Sequence, residues 1–149
     1  MYERLGDIRN RAVTLGQIAD VLQARGELDE ALRIRQQEEL PVYERLGDVR
    51  SRAIALGQIA GVLQARGELD EALRICQQEE LPVYEHLGDV RSRLICQANM
   101  ALIHLKRAAP GDREAAADLL RIAHRDAAHL QVPEAETIRR IQREAGLTP

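Results

Sequence analysis

The chain repeats itself with a period of 41 residues. The segment that begins at Tyr2 returns at Tyr43 with six changes, and a third copy opens at Tyr84 and diverges after Arg93. The six differing pairs are Ile8/Val49, Asn10/Ser51, Val13/Ile54, Thr14/Ala55, Asp20/Gly61 and Arg35/Cys76. Self-similarity at a fixed period of about 20–50 residues is typical of arrays in which each repeat is one supersecondary unit. The sequence therefore predicts stacked units.

Each unit contains the pattern of two helices. Apolar residues at steps of three and four predict a first helix, helix A, over residues 8–25. The predicted apolar stripe consists of Ile8, Ala12, Leu15, Ile18, Ala19 and Leu22. Gly26 then supplies a left-handed residue after the helix. We expect Asp29 to be the N-cap of a second helix, helix B, that starts at Glu30.

Helix B contains a polar run over residues 35–39 and a proline, Pro41, which recurs as Pro82. A proline inside a helix removes one backbone hydrogen bond and crowds the carbonyl four residues before it. We therefore expect helix B to be bent or to form two pieces. It ends at Gly47, and Asp48 is the predicted N-cap of the next helix A.

Composition gives the fold class and excludes several functions. Ala, Leu, Glu, Arg and Gln dominate, Phe and Trp are absent, and there are three Tyr, which favours an all-α fold over a sheet. The net charge is −3, with acids and bases interleaved. No basic stripe or set of aromatic residues indicates binding to nucleic acid. Lys106 is the single Lys, a bias toward Arg that suggests a GC-rich bacterial genome.

The sequence offers no signal peptide and no membrane span. No apolar segment follows the first residues, and no stretch approaches the roughly 18 apolar residues that a spanning helix needs. We therefore expect a cytoplasmic protein.

The ends of the chain depart from the repeat. Residues 1–7 match the tail of a helix B, so we expect a partial helix B there and a fragment of a longer array. An insertion over residues 108–112 precedes a third helix B over residues 113–130, and Pro133 precedes a charged helix over residues 134–145, which we interpret as a C-terminal cap. We predict one domain, residues 1–149, with repeats over residues 8–48, 49–89 and 90–132 and a cap over residues 133–149.

The stretch LGQIADVLQARGELDEAL resembles the tetratricopeptide repeat family, in a long variant similar to the repeats of kinesin light chains and bacterial regulators. Gly26 and Gly67 match the family's turn glycine. The small residues of its helix pair match Ala19, Ala31, Ala60 and Ala72. The resemblance covers essentially the whole chain and implies an α-solenoid of antiparallel helix pairs that binds proteins. The family's usual aromatic residues are replaced by leucines, and the repeat exceeds the common unit by about seven residues.

No pattern of residues indicates an enzyme, a metal site or a cofactor. The four histidines, which are His86, His104, His124 and His129, are not spaced as a metal pair on one helix face. The acidic pairs Glu38–Glu39 and Glu79–Glu80 are interpreted as solvated faces. Cys76 and Cys96 are interpreted as small, partly buried side chains on consecutive helices that could approach each other. Because Arg35 is the counterpart of Cys76, we expect that position to tolerate solvent.

The resemblance also implies a concave binding surface formed by helix A residues outside the packing stripe. By alignment with the family pattern, this surface consists of Gln17, Asp20, Gln23, Gln58, Gly61, Gln64, Asn99, Leu102, Leu105 and Lys106. We predict a scaffold or adaptor that binds a peptide or helix of a protein partner there, as part of a larger bacterial regulator. Two alternatives stay open: Leu102 and Leu105 could instead pack on the cap, and the chain could self-associate through its N-terminal repeat face into a homo-oligomer.

Overall fold

A computed structural model describes residues 4–149, and within them every regular element is a helix. The α-helices are α1 (Leu5–Ala24), α2 (Leu28–Arg33), α3 (Leu40–Leu46), α4 (Val49–Ala65), α5 (Leu69–Ile75), α6 (Leu81–Leu87), α7 (Val90–Arg107), α8 (Asp112–Leu130) and α9 (Glu134–Glu144). Two π-helical segments are π1 (Ile34–Glu39) and π2 (Cys76–Glu80). The all-α prediction is confirmed. The chain divides into a first unit that ends at Ile75 and a second unit, Cys76–Pro149.

In the first unit, α1 packs against α2, π1 and α3, and α4 packs against α2, π1, α3 and α5. α1 begins at Leu5, three residues before the predicted start, so part of the segment assigned to a partial helix B belongs to α1. Met1, Tyr2 and Glu3 lie outside the described residues. The predicted stripe is correct at Ile8, Ala12 and Ala19, which are buried, and wrong at Ile18, which is exposed.

The turns between helices follow the predicted glycines. Gly26 and Gly47 both have positive φ, at 80° and 67°, as their places after a helix require. The second helix of the pair begins at Leu28 and its N-cap is Glu27, so the prediction of Asp29 as N-cap is wrong. Asp29 instead lies in the first turn, where its negative charge still faces the positive end of the helix dipole.

Asp48 caps α4 as predicted, and its counterpart in the repeat, Asp89, caps α7. The backbone N–H of Ser51 donates to Asp48 Oδ1 at 3.0 Å, and that of Ser92 donates to Asp89 Oδ1 at 3.1 Å. Each bond satisfies one of the backbone donors that a helix leaves unpaired at its start. The repeated caps fix where α4 and α7 begin.

Neither proline breaks its helix, because a π-helical segment precedes each one. Helical residues run without interruption from Leu28 through Pro41 to Leu46. The N–H of Leu40 donates to the carbonyl of Arg35, five residues earlier, where an α-helix would pair residues four apart. The wider turn changes the hydrogen-bond register just before Pro41, the residue that has no N–H to donate. The predicted break is thus replaced by a π turn.

The second unit has its core where α7, α8 and α9 pack together. Buried side chains on α8 and α9 include Leu120 and Ile138, and Leu105 of α7 packs against them. The inserted turn before α8 is held by the buried Asp112 carboxylate. It is 2.7 Å from His104 Nδ1 and accepts hydrogen bonds from Arg107 and from the Ala109 N–H. No helix among residues 4–149 has the length and apolar character needed to cross a membrane.

Candidate functional site

The first unit buries an arginine among polar groups. The Arg35 side chain is 1% exposed and lies in π1. Its guanidinium donates to Glu39 Oε1 at 3.2 Å and to Gln58 Oε1 of α4 at 2.9 Å, and it pairs with Asp20 of α1. Three helical segments therefore meet at one cation. We call Arg35, Glu39, Asp20 and Gln58 the arginine cluster.

Glu39 is buried in this cluster, with 4% of its surface exposed. Burial raises the pKa of Glu39, and the charge of Arg35 and its hydrogen bond partly offset that rise. Gly16 of α1 provides the space for this carboxylate, because a Cβ at Gly16 would overlap it. A side chain larger than hydrogen at that position is therefore excluded while Glu39 keeps its place.

Two predictions from the sequence are wrong at these positions. The sequence predicts that the position of Arg35 tolerates solvent, yet Arg35 is among the most deeply buried side chains of residues 4–149. It also predicts that Glu39 and Glu80 lie on solvated faces, yet both are buried. A charged run on a helix is solvated only where no other helix covers it, and in each π-helical segment one face of the run is covered.

The second unit buries two thiols and a carboxylate. Cys76 and Glu80 lie at the two ends of π2, and Cys96 lies on α7. The Cys96 thiol donates to Glu80 Oε1 at 3.2 Å, and the Tyr84 hydroxyl donates to Glu80 Oε2 at 3.1 Å. The ligand atoms of the two cysteines and the glutamate all lie within 4.8 Å of one another. We call Cys76, Glu80 and Cys96 the thiol cluster.

Two side chains of this cluster, Glu80 and Cys96, have raised pKa values. Burial raises the pKa of Glu80, although the hydrogen bonds from Cys96, Tyr84 and Cys76 partly oppose the rise. The pKa of Cys96 is also raised, first by its hydrogen bond with Cys76, then by burial and by the charge of Glu80. The thiol of Cys96 is therefore protonated at neutral pH and is no free nucleophile.

The two clusters occupy equivalent places in the repeat. A shift of 41 residues carries Arg35 onto Cys76, Glu39 onto Glu80, and Ala55 onto Cys96. The carboxylate is kept, whereas the guanidinium is replaced by one thiol and a facing methyl group by another. Of the six positions at which the first two repeats differ, 35/76 is the one that exchanges a cation for a neutral side chain.

Three of the predicted concave residues come together at one groove in the first unit. Its volume is about 280 Å³, and Gln17, Asp20 and Gln58 line it. Glu39 also lines the groove, so the arginine cluster forms part of its floor. Val13 and Ile54 add apolar walls and are 47% and 37% exposed. The sequence pattern does not predict that the Glu39 carboxylate lines this groove.

Two other predicted residues line a separate cavity in the second unit. Asn99 and Leu102 border about 130 Å³ that Ile138 and Ile141 of α9 also line. Leu102 and Leu105 therefore both lie beside the last helices, Leu105 within the core and Leu102 at the edge of the cavity. Gln23, Gly61 and Gln64 are half-buried, and Lys106 is exposed; none of these four lines either space.

Comparison of the chain with protein-family models and with curated proteins finds no match. The signal that could have revealed the two clusters is the spacing of Arg35 and Glu39, and of Cys76 and Glu80, four residues apart on one helix face. That spacing fits an exposed pair equally well, and only the facing helix decides between them.

Proposed function

We propose that this chain is a non-catalytic, tetratricopeptide-like module of a bacterial cytoplasmic protein, and that the groove in its first unit binds a peptide segment of a protein partner. The observation that carries the proposal is the groove itself, which combines exposed aliphatic walls with amide and carboxylate groups. Val13 and Ile54 provide apolar contact, and Gln17, Asp20 and Gln58 provide hydrogen-bonding partners. Peptide-binding sites commonly combine apolar contacts with a few hydrogen-bonding groups of this kind.

The charge of the groove indicates which peptide it prefers. Asp20 and Glu39 both line it, whereas the single cation that they share, Arg35, is buried beneath. A segment with one aliphatic side chain and a neighbouring Lys or Arg would contact the walls and reach Asp20, of whose side chain 62% is exposed. A peptide rich in Asp or Glu would face like charges.

The packing of α9 against the core of the second unit supports the prediction that this helix is a C-terminal cap. Ile138 is buried against the core, and Ile141 and Leu147 pack beside it. Charged residues occupy much of the rest of this helix, as a terminal repeat element with a polar outer face requires.

Selection from a random peptide library displayed on phage tests the groove. We expect enrichment of sequences that place a basic residue next to an aliphatic one, and micromolar affinity by isothermal titration calorimetry. Ile54→Glu should reduce the affinity at least tenfold, whereas Leu130→Glu, at an exposed leucine of α8, should leave it unchanged. Leu102→Glu tests whether the peptide binds at the cavity of the second unit instead of the groove. If it removes binding and Ile54→Glu does not, the groove is the wrong site.

A second candidate function, self-association through α1, is favoured by one specific difference between the repeats. Ile18 and Val21 on α1 are 44% and 57% exposed, whereas their counterparts Ile59 and Val62 on α4 are buried. Helices α2 and π1 pack against α4. An aliphatic pair that one copy of the repeat buries is therefore accessible in the other, and a second molecule could cover it.

Light scattering coupled to size exclusion, at two concentrations ten-fold apart, tests this candidate. A dimer that dissociates in the Ile18→Ser, Val21→Ser variant and persists in Leu130→Ser would support it. A monomer at both concentrations would contradict self-association and leave peptide binding as the function.

A further inference from the structure

We propose that Cys76, Glu80 and Cys96 bind one thiophilic divalent cation of the Zn²⁺ class, in the place that the Arg35 guanidinium occupies in the first repeat. The thiol cluster is used by neither proposed function and lies in a different unit from the groove. Its three side chains are at most 6% exposed, so it is no surface patch of acidic residues.

The buried glutamates of the two units, Glu39 and Glu80, differ in the groups that surround them. In the first unit, Glu39 is compensated by Arg35 at 3.2 Å. Its counterpart Glu80 is as deeply buried, and its contacts within residues 4–149 are the thiols of Cys96 and Cys76 and the hydroxyl of Tyr84. None of these groups carries a positive charge. A buried carboxylate is costly unless a cation or a metal ion compensates it, so the replacement of Arg35 leaves a place for a cation.

The residues that stand in the places of Arg35 and Ala55 both carry a thiol. The guanidinium is replaced by a thiol at Cys76, and the methyl group of Ala55 is replaced by a second thiol at Cys96, on the helix that faces Glu80. Two independent changes therefore bring sulfur atoms to the same carboxylate. Paired thiolates select soft ions such as Zn²⁺ over Mg²⁺ or Ca²⁺, which prefer oxygen ligands.

The distances suit a tetrahedral ion after small shifts of the donor atoms. Zinc bound at about 2.3 Å from sulfur and about 2.1 Å from oxygen needs donor atoms roughly 3.6–3.8 Å apart. Cys96 Sγ and Glu80 Oε1, which are 3.2 Å apart, would separate slightly to admit the ion, and all three ligand atoms lie within 4.8 Å of one another. A second carboxylate oxygen or a water completes four ligands.

Tyr84 adds the support that a metal ligand requires. Its hydroxyl donates to Glu80 Oε2 at 3.1 Å, which orients the carboxylate and leaves Oε1 directed at the sulfur of Cys96. Hydrogen bonds of this kind to a ligating carboxylate commonly contribute about 10–100-fold in metal affinity. Two thiolates and a carboxylate around a divalent ion retain one negative charge, which the Tyr84 hydroxyl partly offsets.

The test is a titration of the full chain, reduced and freed of metal, with Cd²⁺ and with Zn²⁺. We expect a thiolate-to-cadmium absorption band that saturates at one equivalent, and Zn²⁺ that competes for the same site. Cys96→Ala introduces the residue that the second repeat carries at the equivalent position, Ala55, so the fold should be retained, as circular dichroism would verify. This variant should lose the band. Glu80→Gln should bind Zn²⁺ at least tenfold more weakly.

Transfer of the site to the first unit is the matched gain-of-function test. The double variant Arg35→Cys, Ala55→Cys places two thiols beside Glu39, and it should bind two equivalents of Cd²⁺ instead of one. Absence of the band at one equivalent in the wild-type chain, or an equal band in Cys96→Ala, would overturn the proposal. Unchanged Zn²⁺ affinity in Glu80→Gln would remove the carboxylate from the ligand set.

Discussion

The arginine cluster of the first unit and the thiol cluster of the second unit are two versions of one buried site. Both contain a glutamate at the same repeat position, and both bring a residue of the π-helical segment against a facing helix A. In the first unit the carboxylate lies beside a permanent cation. In the second unit it lies beside two thiols. The two sites thus differ in the charge of their buried polar groups.

This difference shows that a repeat can keep its helices while its buried chemistry changes. Four substitutions, at positions 35/76, 55/96, 20/61 and 58/99, alter the site without altering the glycine turns or the aspartate caps. The helices begin and end at equivalent positions because the glycine turns and the aspartate caps are unchanged. The buried polar groups are therefore free to acquire different roles in different copies.

The largest effect is expected from removing the cation of the first unit. Arg35→Met keeps the aliphatic stem but leaves Glu39 buried without a partner, which typically costs about 3–5 kcal/mol when a buried pair is broken. Urea unfolding followed by circular dichroism measures the change in the free energy of unfolding. Glu39→Gln with Arg35→Met should recover much of the loss. A loss below about 1 kcal/mol would mean that Glu39 is protonated or solvated in the native chain.

A smaller effect is expected from filling the space that Glu39 occupies. Gly16→Ala places a Cβ against its carboxylate, and such overpacking costs about 1–3 kcal/mol. The matched control is Gly61→Ala, where a Cβ meets nothing within 4 Å and helix propensity favours Ala by up to about 1 kcal/mol. Thermal melting of both variants gives the comparison. Equal stabilisation by both substitutions would contradict the tight approach of α1 to Glu39.

The helix cap at Asp48 provides the next comparison, because the same carboxylate also pairs with Arg9. Asp48→Ala removes both the capping bond, worth about 0.5–2 kcal/mol, and the ion pair. Arg9→Ala removes the exposed ion pair and keeps the cap, so we expect it to cost less, about 0–1 kcal/mol. Urea unfolding at neutral pH measures both variants, and equal losses would show that the capping bond contributes nothing.

The same cap predicts how stability depends on pH. The hydrogen bonds from Arg9 and from Ser51 lower the pKa of Asp48 from 3.8 to about 2 in the folded chain. A carboxyl with a lowered pKa stabilises the fold above its unfolded pKa and loses that contribution as the pH falls. The contribution of Asp48 to the free energy of unfolding should therefore be complete above pH 3.8 and should decrease toward pH 2. A difference in the free energy of unfolding between wild type and Asp48→Ala that stays constant through this pH range would contradict the prediction.

The smallest effect is expected in the second unit, at the hydroxyl of Tyr84. Tyr84→Phe removes one hydrogen bond to Glu80, worth about 0.5–1.5 kcal/mol. A double-mutant cycle with Glu80→Gln, measured by urea unfolding, isolates the pair. Additive losses would show that the two groups do not interact in solution.

The sequence predicts the helices better than it predicts the buried site. Gly26, Gly47 and Asp48 are local signals, and each acts where the pattern places it. The burial of Arg35 and Glu39 depends on α1 and α4, whose approach no local pattern encodes. Cys76 and Cys96 are 20 residues apart and meet because a turn reverses the chain between their helices. A run of charged residues carries the same periodicity whether water or another helix faces it.

The buried side chains also distinguish the near-identical copies while the chain folds. Most of the packing surface of one helix B would fit the place of the other, which invites pairing of a helix with the wrong neighbour. A misplaced first copy would bring the Arg35 guanidinium against the Cys96 thiol and separate it from Asp20 and Gln58. That arrangement leaves the Arg35–Glu39 pair in the interior with fewer hydrogen-bonding partners, which is costly for buried charges. The polar residues therefore favour each copy in its own place.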